Sequence, residues 1–188
     1  MRPRTILYTG KGGVGKTSVA AATARSLFDA GDLAARAEVP TFDTGAWSLY
    51  SRGSSSHESD LGYHTLLRDF LVQLCSRTKT VQYCSAGQHF TSYLRQPPAV
   101  TVLARTLRPR KSGKLRFKLS KISTINLSVK RGEQVVATIN PGVLGRGTKT
   151  LGWTAPKKTG AYTMTVIATD LAGNQSTASG GVTVQKRP

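Results

Sequence analysis

From Leu115 to Val184 apolar and polar positions alternate with a period of two, and turn signals interrupt the alternation at short intervals. The pattern predicts strands at Leu115–Leu119, Thr124–Lys130, Gln134–Ile139, Thr148–Thr154, Tyr162–Thr169 and Gly181–Gln185. The turns fall at Arg-Gly, Asn-Pro-Gly, Lys-Thr-Gly and Ala-Gly-Asn. Strands this short and this regularly spaced predict an antiparallel sandwich. Ala99–Leu103 opens the domain, and Arg108–Lys114 is a basic connector or a first hairpin.

Upstream the period changes. Leu67, Phe70, Leu71, Leu74 and Cys75 recur at the three-and-four spacing of one helical face, in a helix that opens at Gly62-Tyr63. Before it, Asp43-Thr44-Gly45 supplies a bend and Trp47-Ser48-Leu49-Tyr50 alternates as an extended segment does. A further helix carries Phe90, Tyr93 and Leu94, and Gln96-Pro97-Pro98 ends the helical part, since proline lacks a donor and disfavours helix before it. At the start, Thr5–Tyr8 reads as a strand and Ser18–Ala30 as a helix. The expected fold is multidomain α+β, with domains at 1–31, 32–98 and 99–188.

Composition shifts the picture toward turn-rich β structure, with 38% hydrophobic residues and 19 glycines in 188 positions. A formal net charge of +18 points to polyanionic partners: acidic glycan, an anionic surface, or nucleic acid through non-specific charge alone. The excess is concentrated, because from Thr106 onward fifteen lysines and arginines face two acids, Glu133 and Asp170. Charge that only keeps the domain soluble is the competing reading. No run of 18 apolar residues predicts a membrane span, and Arg2, Arg4 and the broken run Thr5–Tyr8 do not form a secretory signal. Cys75 and Cys84 either close one small loop or stay as free buried thiols.

The most specific short motif is Gly10-Lys11-Gly12-Gly13-Val14-Gly15-Lys16-Thr17, which satisfies the phosphate-loop pattern between a strand-like and a helix-like run. Its glycines let backbone N–H groups wrap phosphates, Lys16 reaches the β- and γ-phosphates of ATP, and Thr17 binds Mg²⁺. With Lys11 and the wording from Thr5 to Ala24, this stretch resembles the start of the anion-transporting (arsenite-type) ATPases. The resemblance implies that Lys11 reaches a nucleotide across a dimer. It ends at about Gly31, ahead of the aspartates that family uses to activate water and hold magnesium. Val166–Asp170 is an apolar strand ending in aspartate and imitates a magnesium-supporting strand, but its alternation and the turn after it fit a sandwich better.

Phe42-Asp43-Thr44-Gly45, Leu49-Tyr50, Arg52 and Tyr63-His64-Thr65, with the helix carrying Phe90, Tyr93 and Leu94, resemble the C-terminal part of glucuronyl C-5 epimerases. That family inverts uronic acid residues within a polysaccharide inside a helical α/α-toroid. The resemblance implies that Tyr50 and Tyr63 are active-site residues and that Arg52, offset by one position, helps hold the substrate; it implies no cofactor. Inversion at carbon 5 needs an acid or base on each side of the ring and a cation near the carboxylate. Read without the resemblance, both tyrosines are ordinary amphipathic packers with a polar tip at the surface. Leu151–Tyr162 and Ala168–Asn174 resemble bacterial immunoglobulin-like modules, which makes Trp153 and Tyr162 core residues rather than sugar platforms.

These likenesses describe a mosaic whose pieces meet near Gly31. The expected protein is a truncated, carbohydrate-related chain, inactive alone as an epimerase, with an immunoglobulin-like domain that binds acidic polysaccharide. A nucleotide-binding protein and a purely structural surface module are the alternatives. The epimerase-like and immunoglobulin-like parts imply an exported ancestor.

Overall fold

The computed structural model describes residues 30–52 and 57–186, and the chain divides into two units at Gln96/Pro97. Gly10–Thr17 and the other expectations for the first 29 residues lie outside the described residues.

The first unit is helical. Helix α1 (Ala30–Glu38) runs through Gly31 and passes into a 3₁₀ turn (Val39–Phe42) with proline in its first turn. Helix α2 (Leu61–Thr78) starts at Asp60, whose carboxylate accepts the backbone N–H of Tyr63 at 2.8 Å, an N-cap of the usual kind. It ends at Lys79 in the left-handed region, φ 56°, and helix α3 (Val81–Tyr93) folds back against it. The Cys75–Cys84 disulfide clamps the two helices beside that turn. At Gly87 an added Cβ would sit 3.3 Å from the Val72 backbone nitrogen, so glycine sets how closely the helices approach. The predicted face of α2 is corrected in one respect. His64, Leu67 and Leu71 are buried, whereas Phe70 is 37% exposed. It stands three residues from Leu67 but on the far flank of a stripe that, among the described residues, α3 and the preceding loop cover.

The second unit is a two-sheet β-sandwich. Its strands are β1 (Val100–Leu103), β2 (Arg105–Leu107), β3 (Ser112–Leu119), β4 (Ser123–Arg131), β5 (Gln134–Leu144), β6 (Gly147–Thr154), β7 (Gly160–Asp170) and β8 (Gln175–Val184). One sheet has the order β1-β3-β6 and the other β2-β8-β7-β4-β5. All six predicted strands are present, with longer bounds. Asn140-Pro141-Gly142 is not the turn its composition suggests: it lies within β5, an edge strand. An edge tolerates proline, and a register shift opposite Ile125–Leu127 with Gly142 at φ 82° absorbs the kink. The basic segment after Leu107 is the turn into β3, tied by Arg110 N–H to Ala155 C=O at 2.9 Å.

The chain changes sheets at Ala104, since β1 pairs antiparallel with β3 and β2 pairs parallel with β8. Two glycines make the crossing fit. A Cβ on Gly180 would lie 2.5 Å from Val102 Cγ1, and one on Gly113 the same distance from Leu107 Cδ2. Between the sheets lie Leu115, Phe117 and Leu119 from one side and Ile125, Leu127, Val129, Met164, Val166 and Val182 from the other. Each buried side chain of this size stabilises the fold by about 1.5–3 kcal/mol. Trp153 and Tyr162 are core residues, edge to face with ring centroids 5.9 Å apart. The Tyr162 hydroxyl donates to Lys158 C=O at 2.7 Å, four residues upstream.

One polar cluster is sealed into the sandwich. Lys121 Nζ lies 2.6 Å from Asp170 Oδ2, and the two side chains are 1% and 0% exposed. The N–H groups of Ala172 and Asn174 donate to Asp170 Oδ1, and the Asn174 amide donates to Oδ2 at 3.0 Å. Asp170 is thus a structural acid at the β7–β8 turn. Removing one partner of a buried pair leaves the other charge uncompensated, at a cost of about 3–5 kcal/mol. Lys121→Ala is therefore expected to lower the unfolding free energy by that amount in urea titrations that follow Trp153 fluorescence. A loss below about 1 kcal/mol would show that Asp170 does not depend on Lys121.

Candidate functional site

The loop between the 3₁₀ turn and α2 is built by short-range hydrogen bonds. Thr44 Oγ1 donates to Trp47 C=O at 2.8 Å and accepts Trp47 N–H at 2.9 Å; Asp43 Oδ1 accepts Gly45 N–H at 2.7 Å, with Gly45 at φ 81°. Bridges Asp43–Ser48 and Leu49–Glu58 then hold the two extended pieces together.

Beneath that loop His64 is fully buried and stacked on Trp47, ring centroids 3.8 Å apart. Its Nε2 lies 2.9 Å from Phe90 C=O, which can only accept, so Nε2 carries the proton. Nδ1 receives the Ser48 backbone N–H at 3.3 Å and the Ser48 hydroxyl at 2.8 Å. The neutral ring therefore links the loop to α2 and α3. Ser48 is itself fully buried, so this serine–histidine contact meets no substrate.

Tyr50 and Tyr63, predicted as a catalytic pair, are brought together: their rings meet edge to face with centroids 4.8 Å apart. Desolvation, then the neighbouring Tyr63 and Asp60, push the Tyr50 phenol above its ordinary value. That favours the proton-holding form, whereas abstracting a proton alpha to a carboxylate needs a phenolate. Arg52 is engaged elsewhere, paired with Glu38 and with its guanidinium 5.7 Å from the centre of the Phe42 ring.

A second cluster escaped the sequence reading. Asp43 accepts the Tyr93 hydroxyl at 3.0 and 3.2 Å and lies 3.2 Å from His89 Nδ1. Asp43 and Tyr93 are fifty positions apart, and no local pattern pairs them; the helix spacing of His89 and Tyr93 was the one available signal. Burial, then the Asp43 carboxylate, pushes the Tyr93 phenol up to about 12.

The sandwich offers a site of a different kind. On β3 the inward side chains Leu115 and Phe117 alternate with Lys114, Arg116 and Lys118. By register Lys114 stands beside Gly152 of β6, Arg116 beside Thr150, and Lys118 between Thr148 of β6 and Thr101 of β1. The other sheet differs. Its outer ladder pairs Thr163 with Gly181, Thr165 with Ser179, Ile167 with Thr177 and Thr169 with Gln175, and carries Lys130 opposite Thr163. Among the described residues no group of three or more His, Cys, Asp or Glu is placed to hold a metal ion, and no helix is long and apolar enough to cross a membrane.

Residues 3–33 match the anion-transporting ATPase family, a stretch lying almost wholly outside the described residues. No curated protein matches the chain. Among solved structures, one similar chain is an engineered protein, 21% identical over 47% of this chain, with TM-score 0.40. This chain spans 20% of that protein's length. A chain of the titin M10–obscurin-like 1 Ig complex is 21% identical over 49% of this chain and 97% of its own, with TM-score 0.33. Murine CRIg is 13% identical over 50% of this chain and 100% of its own, with TM-score 0.34.

The Tyr93 contact fixes a pH dependence. The folded protein holds that proton to about 12, while an unfolded chain releases it near the ordinary value of about 10. The stability this supplies is complete below pH 10 and disappears as the pH rises through 12. Alkaline spectrophotometric titration is expected to show late-ionising phenols, and Tyr93→Phe to remove one of them.

Proposed function

We propose that this chain works through its sandwich as a noncatalytic immunoglobulin-like module that holds acidic polysaccharide outside the cell. The strand order supports the immunoglobulin-like reading, with β1 and β2 divided between the sheets. So does Tyr162, which bonds back to the chain at the start of its strand as the tyrosine of such a corner does. One observation carries the function. Of the two acids in this unit, Asp170 is spent on a buried lysine and Glu133 stands in the β4–β5 turn, so the cations of the sheet faces are left uncompensated. Within this reading Tyr50 and Tyr63 are an inherited pair rather than a working site, since the Tyr50 phenol is raised and Arg52 is held by Glu38.

The fragment 97–188 is expected to unfold as one cooperative unit and to be retained on a polyuronate resin at low ionic strength. It should elute as salt shortens the Debye length from about 10 Å at 0.1 M to about 3 Å at 1 M. A fragment that folds but passes straight through defeats the reading. A second reading, nucleotide binding at Gly10–Thr17, is favoured by the family match over residues 3–33. Equilibrium dialysis with labelled ATP and Mg²⁺ decides it: binding must be present in the parent and lost in Lys16→Ala.

A further inference from the structure

We infer that the polysaccharide contact lies on the outer face of the three-stranded sheet, along the row Lys114, Arg116 and Lys118, and that its occupant is an extended acidic glycan chain. This rests on the proposed function and locates its binding surface. Alternate residues of one strand stand about 7 Å apart on a face, so the three charges form a straight row about 14 Å long. The row lies on the central strand of its sheet, flanked by β1 and β6. Lys114 and Lys118 are exposed, and so are Thr101 and Thr148 beside Lys118 and Thr150 beside Arg116. A line of cations bordered by hydroxyls suits a polymer whose repeat carries one carboxylate or sulfate among many hydroxyls.

The segregation of charge argues against a role in solubility alone. Solubility is served by mixed signs over the whole surface. Here the opposite sheet shows an outer ladder of threonine, serine, glycine, Ile167 and Gln175 with Lys130, and the three-stranded face carries no acid on its strands. Nucleic acid fits less well. Single strands are held largely by stacking bases on aromatic rings, but Phe117 and Trp153 of this sheet are buried in the core. The unit presents no helix for a duplex groove. The Cys75–Cys84 disulfide also belongs to an oxidising compartment, where acidic glycans rather than nucleic acids are the abundant polyanions.

The test uses the full chain, titrated calorimetrically with a linear oligouronate, a neutral dextran of equal length and a single-stranded DNA of equal charge. The parent is expected to bind the oligouronate and not the dextran. Lys114→Gln/Arg116→Gln/Lys118→Gln should weaken that binding by at least about tenfold with unchanged thermal unfolding. The charge-matched control Lys130→Gln/Lys157→Gln/Lys158→Gln should weaken it by less than about threefold. If the first triple loses stability, Lys114→Gln/Lys118→Gln replaces it, since both positions are exposed. Equal losses in the two triples would overturn the row while leaving charge-based binding intact. DNA binding as tight as oligouronate binding, and equally sensitive to the row, would overturn the glycan assignment. No binding of oligouronate by the parent would sink the underlying function as well.

Discussion

The ion pair between Lys121 and Asp170 sits where water is excluded, and both the sandwich and its surface depend on how that pair is satisfied. Burying a carboxylate and an ammonium costs several kcal/mol for each ion, and attraction offsets this only if the remaining lone pairs are engaged. Here they are: the Ala172 and Asn174 backbone N–H groups occupy Oδ1, and the Asn174 amide joins Lys121 at Oδ2. The pair lies at the end of the β4–β7 ladder, where Ser123 stands opposite Asp170, and carries that contact on into the corner between β3 and β4. It also withdraws one of two acids from a strongly basic unit. A structural solution in the interior thus sets the sign of the exterior.

The helical unit solves a different problem. Among the described residues, its helical hairpin and loop bury little apolar surface, and small elements of this kind rely on added constraints. Three are visible. The disulfide ties the helices near their turn, Gly87 lets them approach, and His64 binds the loop to both of them. With both ring nitrogens committed, His64 can hold the loop but cannot also act as an acid or base. The same economy applies to Arg52, whose charge serves Glu38 and Phe42.

How much of this was legible depended on range. The period-two alternation located the strands from Leu115 onward, because each strand has one dry and one wet face and the sequence must record both. Short β1 and β2 were harder, since a four-residue and a three-residue strand carry too few repeats. Asn-Pro-Gly misled because composition cannot tell a hairpin from a kink in an edge strand. Of the site residues, Tyr50 and Tyr63 do meet, although what places them together is the Asp60 cap and the loop bridges rather than their spacing. The Asp43–Tyr93 contact and the Lys121–Asp170 pair span fifty and forty-nine positions, and pairings that long are fixed by topology, not by any local motif.

Compartment is where the parts of the chain press against one another. A disulfide persists where the surroundings are oxidising, whereas a phosphate loop is of use where nucleotide is abundant and thiols are kept reduced. The helical unit places Cys75 and Cys84 within bonding distance across its turn, and α1 carries the backbone through Gly31 into that same unit. The Cys75–Cys84 pair is thus suited to oxidising surroundings. Under the proposed function, the basic β-face meets acidic polysaccharide in that same setting. The cysteines and the proposed glycan contact fit one environment, and the nucleotide reading of Gly10–Thr17 fits another.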